Sequence, residues 1–526
     1  MKRIIPLVML LLPLWVLAQT APQTEVDCGE TYVVTPVPDE GYHFVRWSDD
    51  YLYEERIFTA SDNQSFEAIF ASNRTWIVEP GNPKTIEDGI ATPPSVVIVE
   101  PGGQLTVEPN NIHLDTLIIT SDGTQSGQFN LNGEVHAAHV FIDFVLEPNA
   151  TTASPDKWYA FAVPFKVNMD GVSRTCDDQT LVSGTDFLIK RYDSDKRAQT
   201  GNGWVTNLPT DPLDPGHFYM LGIDGTCNRW RFEKADGNIE GPSSLNLTAW
   251  GVDQYGETPN TGWNSVGNTQ LEYSSLDLSA LLQDYYIYVY DNQLGKFKLI
   301  DNPDALALYV GQPFFIQVKE NAAIGLNSAN NTSNTSSMPA LRAPKQATPK
   351  MHFTLTNASK ERDTDHMYLT LHEDATAHYS IGRDVARMST SCTTATQLWC
   401  TMEDGTQLAA HGIVIPTKES VIDLNLYAPA QGTYLFEIIT RAMDAYDVAL
   451  LYQGGYVASL YDDQPIALDL DKGATRDYAI RISRKMPTDI TNTQSADGQC
   501  TKALIDGHMY IFQGGHVYDA QGKTVK

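Results

Sequence analysis

The chain contains 526 residues, a length that suggests three or four domains at roughly 150 residues each. Hydrophobic residues make up 42% of the sequence and charged residues 19%, so most of the chain should fold around cores and not stay disordered. The 65 acidic residues outnumber the 36 basic residues and give a formal net charge of −29, which disfavours binding to nucleic acid and to anionic lipid surfaces.

Residues 1–18 have the pattern of a secretory signal peptide. Lys2 and Arg3 precede an apolar run that ends at Leu17, and a cleavage point follows before Gln19. This run is shorter than the roughly 20 apolar residues that span a bilayer. We therefore expect the segment to be removed, which leaves an exported mature chain without a transmembrane span.

Export would make disulfides available to the cysteines. Cys392 and Cys400 are close enough in sequence for a disulfide across a hairpin, and a disulfide between Cys176 and Cys227 could cross-link one domain. For each pair, two buried free thiols are an equally good alternative. The sequence has no Cys-x-x-Cys motif, so neither a zinc knuckle nor a thioredoxin-type site is expected.

Short strands should dominate the body of the chain. Apolar residues alternate with polar ones or form short runs, as in residues 96–99 and 434–439. Gly, Pro, Asn or Asp interrupt these runs about every 8–12 residues, which is typical of all-β proteins. The pattern predicts an all-β, multi-domain chain.

The first module should occupy residues 19–73. Residues 25–71 resemble a divergent internalin-B-type repeat (InlB B-repeat), and the resemblance is carried by Gly41-Tyr42-His43-Phe44, Trp47-Ser48-Asp49, Arg56 and Phe66-Glu67-Ala68-Ile69-Phe70. It implies a small β-grasp-like sheet with Tyr42, Phe44 and Trp47 in its core and Arg56 bracing the returning strand. In that family the repeats are spacers or adhesion modules without a catalytic role. An unrelated β module with an aromatic core is the alternative.

The next two modules should cover residues 74–157 and 158–326. In the first, Gly-containing turns separate short strands that fit a β-solenoid or one sheet of a sandwich, with the solenoid favoured. The second resembles a β-rich module common in secreted proteins of Bacteroidota, on the evidence of residues 158–165, 262–268, 286–290 and 311–315. Where relatives usually have Pro after the Gly-Asn pair, this chain has Thr269. The resemblance implies no particular reaction.

One predicted strand of this module carries a candidate binding face. Tyr286, Tyr288 and Tyr290 are spaced two residues apart, so their rings should share one side of the strand. A flat aromatic row can stack on sugar rings or anchor a protein partner. The alternative is that the row is divided between core and cross-strand packing.

A flexible linker and an immunoglobulin-like sandwich are expected next. Residues 327–350 contain the run SANNTSNTSS and several prolines, a composition that buries little apolar surface. Residues 351–484 resemble the sandwich that often precedes the sorting signal in those secreted proteins, on the evidence of residues 378–384, 398–400, 432–434 and 477–482. Strands about ten residues apart fit a sandwich independently.

Residues 485–526 resemble the C-terminal sorting domain of the type IX secretion system. The candidate sorting-signal residues are Gly507, Tyr510, Ile511, Gly515, Tyr518, Gly522 and Val525. An exposed terminal hairpin with open edges suits capture by strand addition, whereas the alternative is an ordinary last hairpin of the sandwich. With the signal peptide, the resemblance implies export to the outer-membrane exterior or the medium, with the outer-membrane secretion machinery as a partner.

Catalytic and metal-binding motifs are not found in the sequence, since HExxH, GxSxG, Walker and dinucleotide-binding patterns are absent. His366, His372 and His378 are too widely spaced on predicted strands for a metal cluster, and Ile480 occupies the position of the closing Glu in a calcium loop. We expect no catalytic residue, no cofactor and no metal. The sequence predicts a non-enzymatic cell-surface protein with a structural or adhesive role, whose candidate partners are a surface glycan or a host protein. The alternatives are a carbohydrate-binding surface protein and an unrecognised hydrolase.

Overall fold

The structure is a computed structural model, and nearly all of its elements are strands, which confirms the all-β class. Besides strands it contains α1 (Ser194–Thr200), α2 (Val252–Tyr255) and a 3-10 turn (Met169–Gly171). The signal peptide, Cys28, Cys392, most of the predicted linker and all three sorting-signal glycines lie outside the described residues. The described residues are 31–38, 42–48, 51, 53–59, 66, 68–72, 74–87, 94–108, 112–131, 135–146, 158–176, 181–223, 227–235, 237–281, 285–301, 306–329, 348–388, 394–462, 464–485, 500–505, 508–513, 516–519 and 523–525.

The repeat module is built from two antiparallel strand pairs. Its strands are β1 (Thr31–Val34), β2 (Tyr42–Trp47), β3 (Arg56–Thr59) and β4 (Ala68–Ser72), and β1 pairs with β3 while β2 pairs with β4. The rings of Trp47 and Phe70 lie 5.8 and 6.3 Å from that of Phe44. The Arg56 guanidinium lies 3.8 Å from the centre of the Phe66 ring, so this arginine stacks on the segment that leads into the last strand.

Two parallel sheets form the solenoid module, which is the favoured arrangement of the two that the sequence allowed. The chain alternates between sheet β5-β7-β9-β11 and sheet β6-β8-β10 at every turn. A Cβ at Gly103 would overlap the backbone oxygen of Val78 in the preceding coil, and one at Gly127 would overlap that of Val99. Glycine therefore permits the close stacking of successive coils. The strands are β5 (Thr75–Val78), β6 (Lys84–Ile86), β7 (Val96–Val99), β8 (Gln104–Val107), β9 (Ile112–Ser121), β10 (Gln128–Leu131) and β11 (Val135–Val145).

The central module continues the solenoid sheet across the predicted boundary at residue 158. Strands β17 and β13 add to β11 in antiparallel order, and one hydrophobic core extends from Val78 to Val310. The fully buried Asp143 on β11 accepts two hydrogen bonds of 2.8 Å from Arg231 on β17. The strands are β12 (Trp158–Phe161), β13 (Val172–Arg174), β14 (Phe187–Tyr192), β15 (Trp204–Thr206), β16 (Tyr219–Ile223), β17 (Arg229–Glu233), β18 (Ser244–Leu247), β19 (Trp263–Gly267), β20 (Ser274–Asp277), β21 (Ile287–Asp291), β22 (Lys296–Ile300), β23 (Ala307–Leu308), β24 (Pro313–Gln317) and β25 (Ala322–Ser328).

The Gly-Asn pair that carries the central module's resemblance has a packing role. A Cβ at Gly267 would overlap the side chain of Ala162. The buried Asn268 amide donates to the carbonyl oxygens of Glu272 and Leu308 at 2.9 and 3.1 Å. The pair therefore fixes a close crossing of strands and a buried turn, which explains the motif without any reaction.

The C-terminal module, for which the sequence predicted a sandwich, is a large curled sheet, and the sandwich-rich all-β class is supported. Its strands follow the order β34-β33-β36-β31-β29-β30-β27-β26-β32-β35, and β28 also pairs with β30. The tail forms a sheet of its own, β37-β38-β39-β40. The strands of the module are β26 (Lys350–Asn357), β27 (Thr364–His372), β28 (Val385–Ala386), β29 (Gln397–Thr401), β30 (Gln407–Val414), β31 (Glu419–Ala428), β32 (Gly432–Arg441), β33 (Tyr446–Tyr452), β34 (Gly455–Ser459), β35 (Ile466–Leu470) and β36 (Gly473–Arg484), and those of the tail are β37 (Cys500–Ile505), β38 (His508–Gln513), β39 (His516–Asp519) and β40 (Thr524–Val525).

Candidate functional site

The tyrosine row lies between the central and C-terminal modules and does not form an open binding face. Tyr286 and Tyr288 are 7% and 3% exposed, and Tyr290 is half-buried. The Tyr286 ring lies 5.5 Å from that of Tyr368 on β27, and the Tyr288 hydroxyl donates to the Ala386 carbonyl oxygen at 3.1 Å. The prediction of a sugar- or protein-binding face is therefore wrong, because packing between the modules covers these rings. We call this interface the joint.

A buried amine lies at the centre of the joint. Lys296 on β22 is 5% exposed, and its Nζ donates to the carbonyl oxygens of Thr364 and Thr396 at 2.8 and 3.0 Å. The same Nζ lies 3.6 Å from Asp365 Oδ1 and 4.0 Å from Asp363 Oδ1. Burial raises the pKa of Asp365, and the positive charge of Lys296 opposes that shift. The network joins a strand of the central module to the start of β27.

A second set of polar contacts links the modules nearby. Glu257 accepts a 2.7 Å hydrogen bond from the Ile381 backbone amide. The buried Tyr379 hydroxyl donates to Gln317 Oε1 at 2.6 Å and accepts from the Ala386 amide at 3.0 Å. Because each of these groups has a partner of complementary hydrogen-bonding character, the joint resembles the inside of a domain more than a loose contact between domains.

Two histidines line the same region. His352 Nε2 lies 2.9 Å from His366 Nδ1, and the two rings stack with centroids 5.2 Å apart. Burial is the main cause that lowers the pKa of His366 to about 3, and it lowers the pKa of His352 as well. A cavity of about 30 Å³ adjoins His366, Lys296 and Arg387. It has room for one or two water molecules, which is too little for a sugar or a peptide.

A larger cleft opens on the C-terminal module, at one end of β33 and β34. It has a volume of about 230 Å³, and Tyr461, which is 57% exposed, contributes an aromatic ring to it. Asp462 accepts a 2.9 Å hydrogen bond from the Thr440 backbone amide. Lys485 Nζ lies 3.8 Å from Asp447 Oδ1. The other residues that line the cleft are Met443, Asp444, Tyr446, Val448, Ser459 and Leu460. An exposed ring beside fixed carboxylates can stack on a sugar and accept hydrogen bonds from its hydroxyls.

The candidate disulfide residues have different outcomes. Cys176 and Cys227 form a disulfide. Cys400 is a buried free thiol that donates to the Leu408 carbonyl oxygen at 3.7 Å, and burial raises its pKa to about 12. The predicted disulfide between Cys400 and Cys392 is therefore not formed, because Cys400 lies in the hydrophobic core of the C-terminal module.

The remaining predicted site residues belong to the tail, and some of them lie outside the described residues. In the tail, Tyr510, Ile511 and Tyr518 are half-buried, Ile511 pairs with Tyr518, and Val525 is exposed. The glycines of the proposed signal are not described. In the parts of the chain that the structure describes, no group of three or more His, Cys, Asp or Glu residues is placed to hold a metal ion. The described helices are also too short to cross a membrane.

The buried groups of the joint were missed by reasoning from the sequence. Lys296 alternates with Phe297, so its pattern is that of a solvent-facing lysine. The one sequence feature that pointed to burial of Lys296 is its position beside apolar residues in a short strand. This feature is a weak indicator, because a lysine is rarely buried.

Comparison with known proteins supports the assignment of the first module. A family model described as a divergent InlB B-repeat domain matches residues 18–74. This confirms the resemblance for the module that contains β1–β4, and domains of this type are found in surface proteins. No curated protein and no solved structure matches the chain.

Proposed function

We propose that the chain is an exported cell-surface modular protein with a structural or adhesive role. The repeat-family match at residues 18–74 carries this proposal, because such domains occur in surface proteins. The continuous core of the solenoid and central modules supports it, and so does the buried joint with the C-terminal module. A series of modules that dock through buried contacts can hold a binding surface at a fixed distance from its attachment point.

The tail is proposed to be a type IX-like sorting signal that brings the protein to the outer-membrane exterior. Its separate antiparallel sheet leaves strands β37 and β40 at open edges, which suit capture by strand addition in the secretion machinery. Deleting residues 502–526 should abolish surface display, and this can be measured by protease shaving of intact cells. Detection of the truncated chain on intact cells would refute the sorting assignment.

Carbohydrate binding is the second candidate, and the cleft beside Tyr461 favours it. A surface glycan or a host glycoprotein would be the partner. On a glycan array, a Tyr461→Ala variant should lose the binding that the wild type shows. Tyr456→Ala is the matched control, because Tyr456 is 60% exposed and lies outside the residues that line the cleft. Equal loss in the control, or no glycan bound by the wild type, would count against this candidate.

We also propose that the protein is not an enzyme. The buried charged groups of the joint are held by ion pairs and by hydrogen bonds to the backbone, so they support packing. The test is a panel of peptide and polysaccharide substrates incubated with the mature chain. Turnover of any of these substrates, lost on heat denaturation, would favour the hydrolase alternative.

A further inference from the structure

The histidine pair lies where the central and C-terminal modules meet. His352 is on β26 and His366 is on β27, and His366 lines the small cavity together with Tyr288 and Lys296 of the central module. The Nε2–Nδ1 distance of 2.9 Å requires one nitrogen to donate and the other to accept. At least one ring must therefore be neutral for the pair to form.

The surroundings of the pair are rich in positive charge. Lys298 and Lys296 on β22 lower the pKa of His366, and Lys350 and Lys298 lower that of His352. Asp301 opposes the shift at His352, but this carboxylate is also paired with Lys350. The charged and titratable groups around the pair are Lys296, Lys298, Asp301, Lys350, Asp365, Tyr368 and Arg387. On β32, Glu437 contacts Thr354, the residue opposite His366.

From this geometry we propose that the His352–His366 pair is a pH-sensitive latch, and that protonating both rings releases the C-terminal module from the central module. In two imidazolium rings at this distance, the N–H donor of His352 would face an N–H donor of His366, and no hydrogen bond could form between them. The two rings would also place two positive charges beside the lysines of β22. Both histidines lie on paired strands of the C-terminal module, so undocking does not pull the strands apart. It exposes His366 to water, where the ring is free to turn away from His352, and it moves Lys296 and Lys298 away from it.

The direction of the pH dependence follows from the lowered pKa values. A histidine that is held neutral in the docked state takes up its proton more readily in the undocked state, so docking weakens as the pH falls below about 6.5. If undocking restores the ordinary pKa of His366, the equilibrium shifts towards the undocked form by up to about 30-fold at pH 5. At neutral pH and above, the contribution to docking is fully present.

The latch can be tested by small-angle X-ray scattering of the full mature chain between about pH 7.5 and 4.5. The wild type should expand as the pH falls while its far-UV circular dichroism is retained, because the modules separate without unfolding. A His352→Gln/His366→Gln variant should remain compact over the same range. His378→Gln is the matched control, since His378 is exposed on the same module, and this variant should behave as the wild type.

Asp365 is the competing titratable group, and it is retained in all of these variants. Expansion of the double variant at the same pH as the wild type would assign the transition to Asp365 or another group and overturn the proposal. A wild type that stays compact down to about pH 4.5 would overturn it too. If the double variant does not fold at neutral pH, His366→Gln alone decides, because its amide can keep a hydrogen bond to His352 without titrating.

Discussion

Replacing Lys296 by methionine should destabilise the C-terminal module strongly. Methionine keeps most of the apolar stem, so the change removes mainly the charge and its donors. Two hydrogen bonds to the carbonyl oxygens of Thr364 and Thr396 are lost, and Asp365 loses its closest cation at 3.6 Å. Breaking a buried ion pair by removing one partner costs about 3–5 kcal/mol, because the remaining charge stays buried.

Thermal and urea unfolding, followed by near-UV circular dichroism, would measure this effect. The loss of about 3–5 kcal/mol corresponds to a decrease of roughly 10–18 °C in the melting temperature of a module of this size. The matched control is Lys298→Met, two residues along the same strand and partly exposed, which should cost less than about 1 kcal/mol. Equal and small effects of both variants would refute the assignment of Lys296 as the centre of the joint.

Three further predictions concern other parts of the chain. Gly103→Ala should lower the melting temperature by several degrees, because its Cβ would overlap backbone in the preceding coil. Gly432→Ala should leave the melting temperature unchanged, because Gly432 has open space around it. Equal melting curves for the two variants would contradict the packing argument. Replacing Cys176 and Cys227 with serine removes a disulfide between residues that are 51 positions apart. The free energy of unfolding, measured in urea, should fall by about 4 kcal/mol. An unchanged unfolding midpoint would show that the disulfide adds no stability. Cys400, whose pKa burial raises to about 12, should resist iodoacetamide at about pH 8 until urea is added; peptide mapping that finds labelling in the native protein would contradict its burial.

The class of the fold and the solenoid were predictable because both depend on local patterns. Alternating apolar residues and regularly spaced turns are visible within ten or twenty residues. Glycine is a local signal in two of the turns, since Gly103 and Gly127 occupy equivalent positions before β8 and β10. The aromatic core around Phe44 and Trp47 was predictable from the repeat motif alone.

The joint could not be predicted, because its partners are far apart in sequence. Spacing by two correctly places Tyr286 and Tyr288 on one side of a strand, but it does not tell what covers that side. Lys296 meets Asp365 across the predicted linker, and no local pattern brings the two together. Composition predicted a flexible connection between the modules, and it gave no information on whether the modules dock.

Burial of the tyrosine row changes where an adhesive contact should be sought. Among the described residues, the aromatic side chains with more than half of their surface exposed are Tyr53, Tyr456 and Tyr461. The first belongs to the repeat module and the other two to the C-terminal module. Because an adhesive surface needs large side chains that are accessible before binding, these two modules are better places for a partner than the central module. The central module would then serve to hold the C-terminal module in place, which is a structural role that depends on the joint remaining closed.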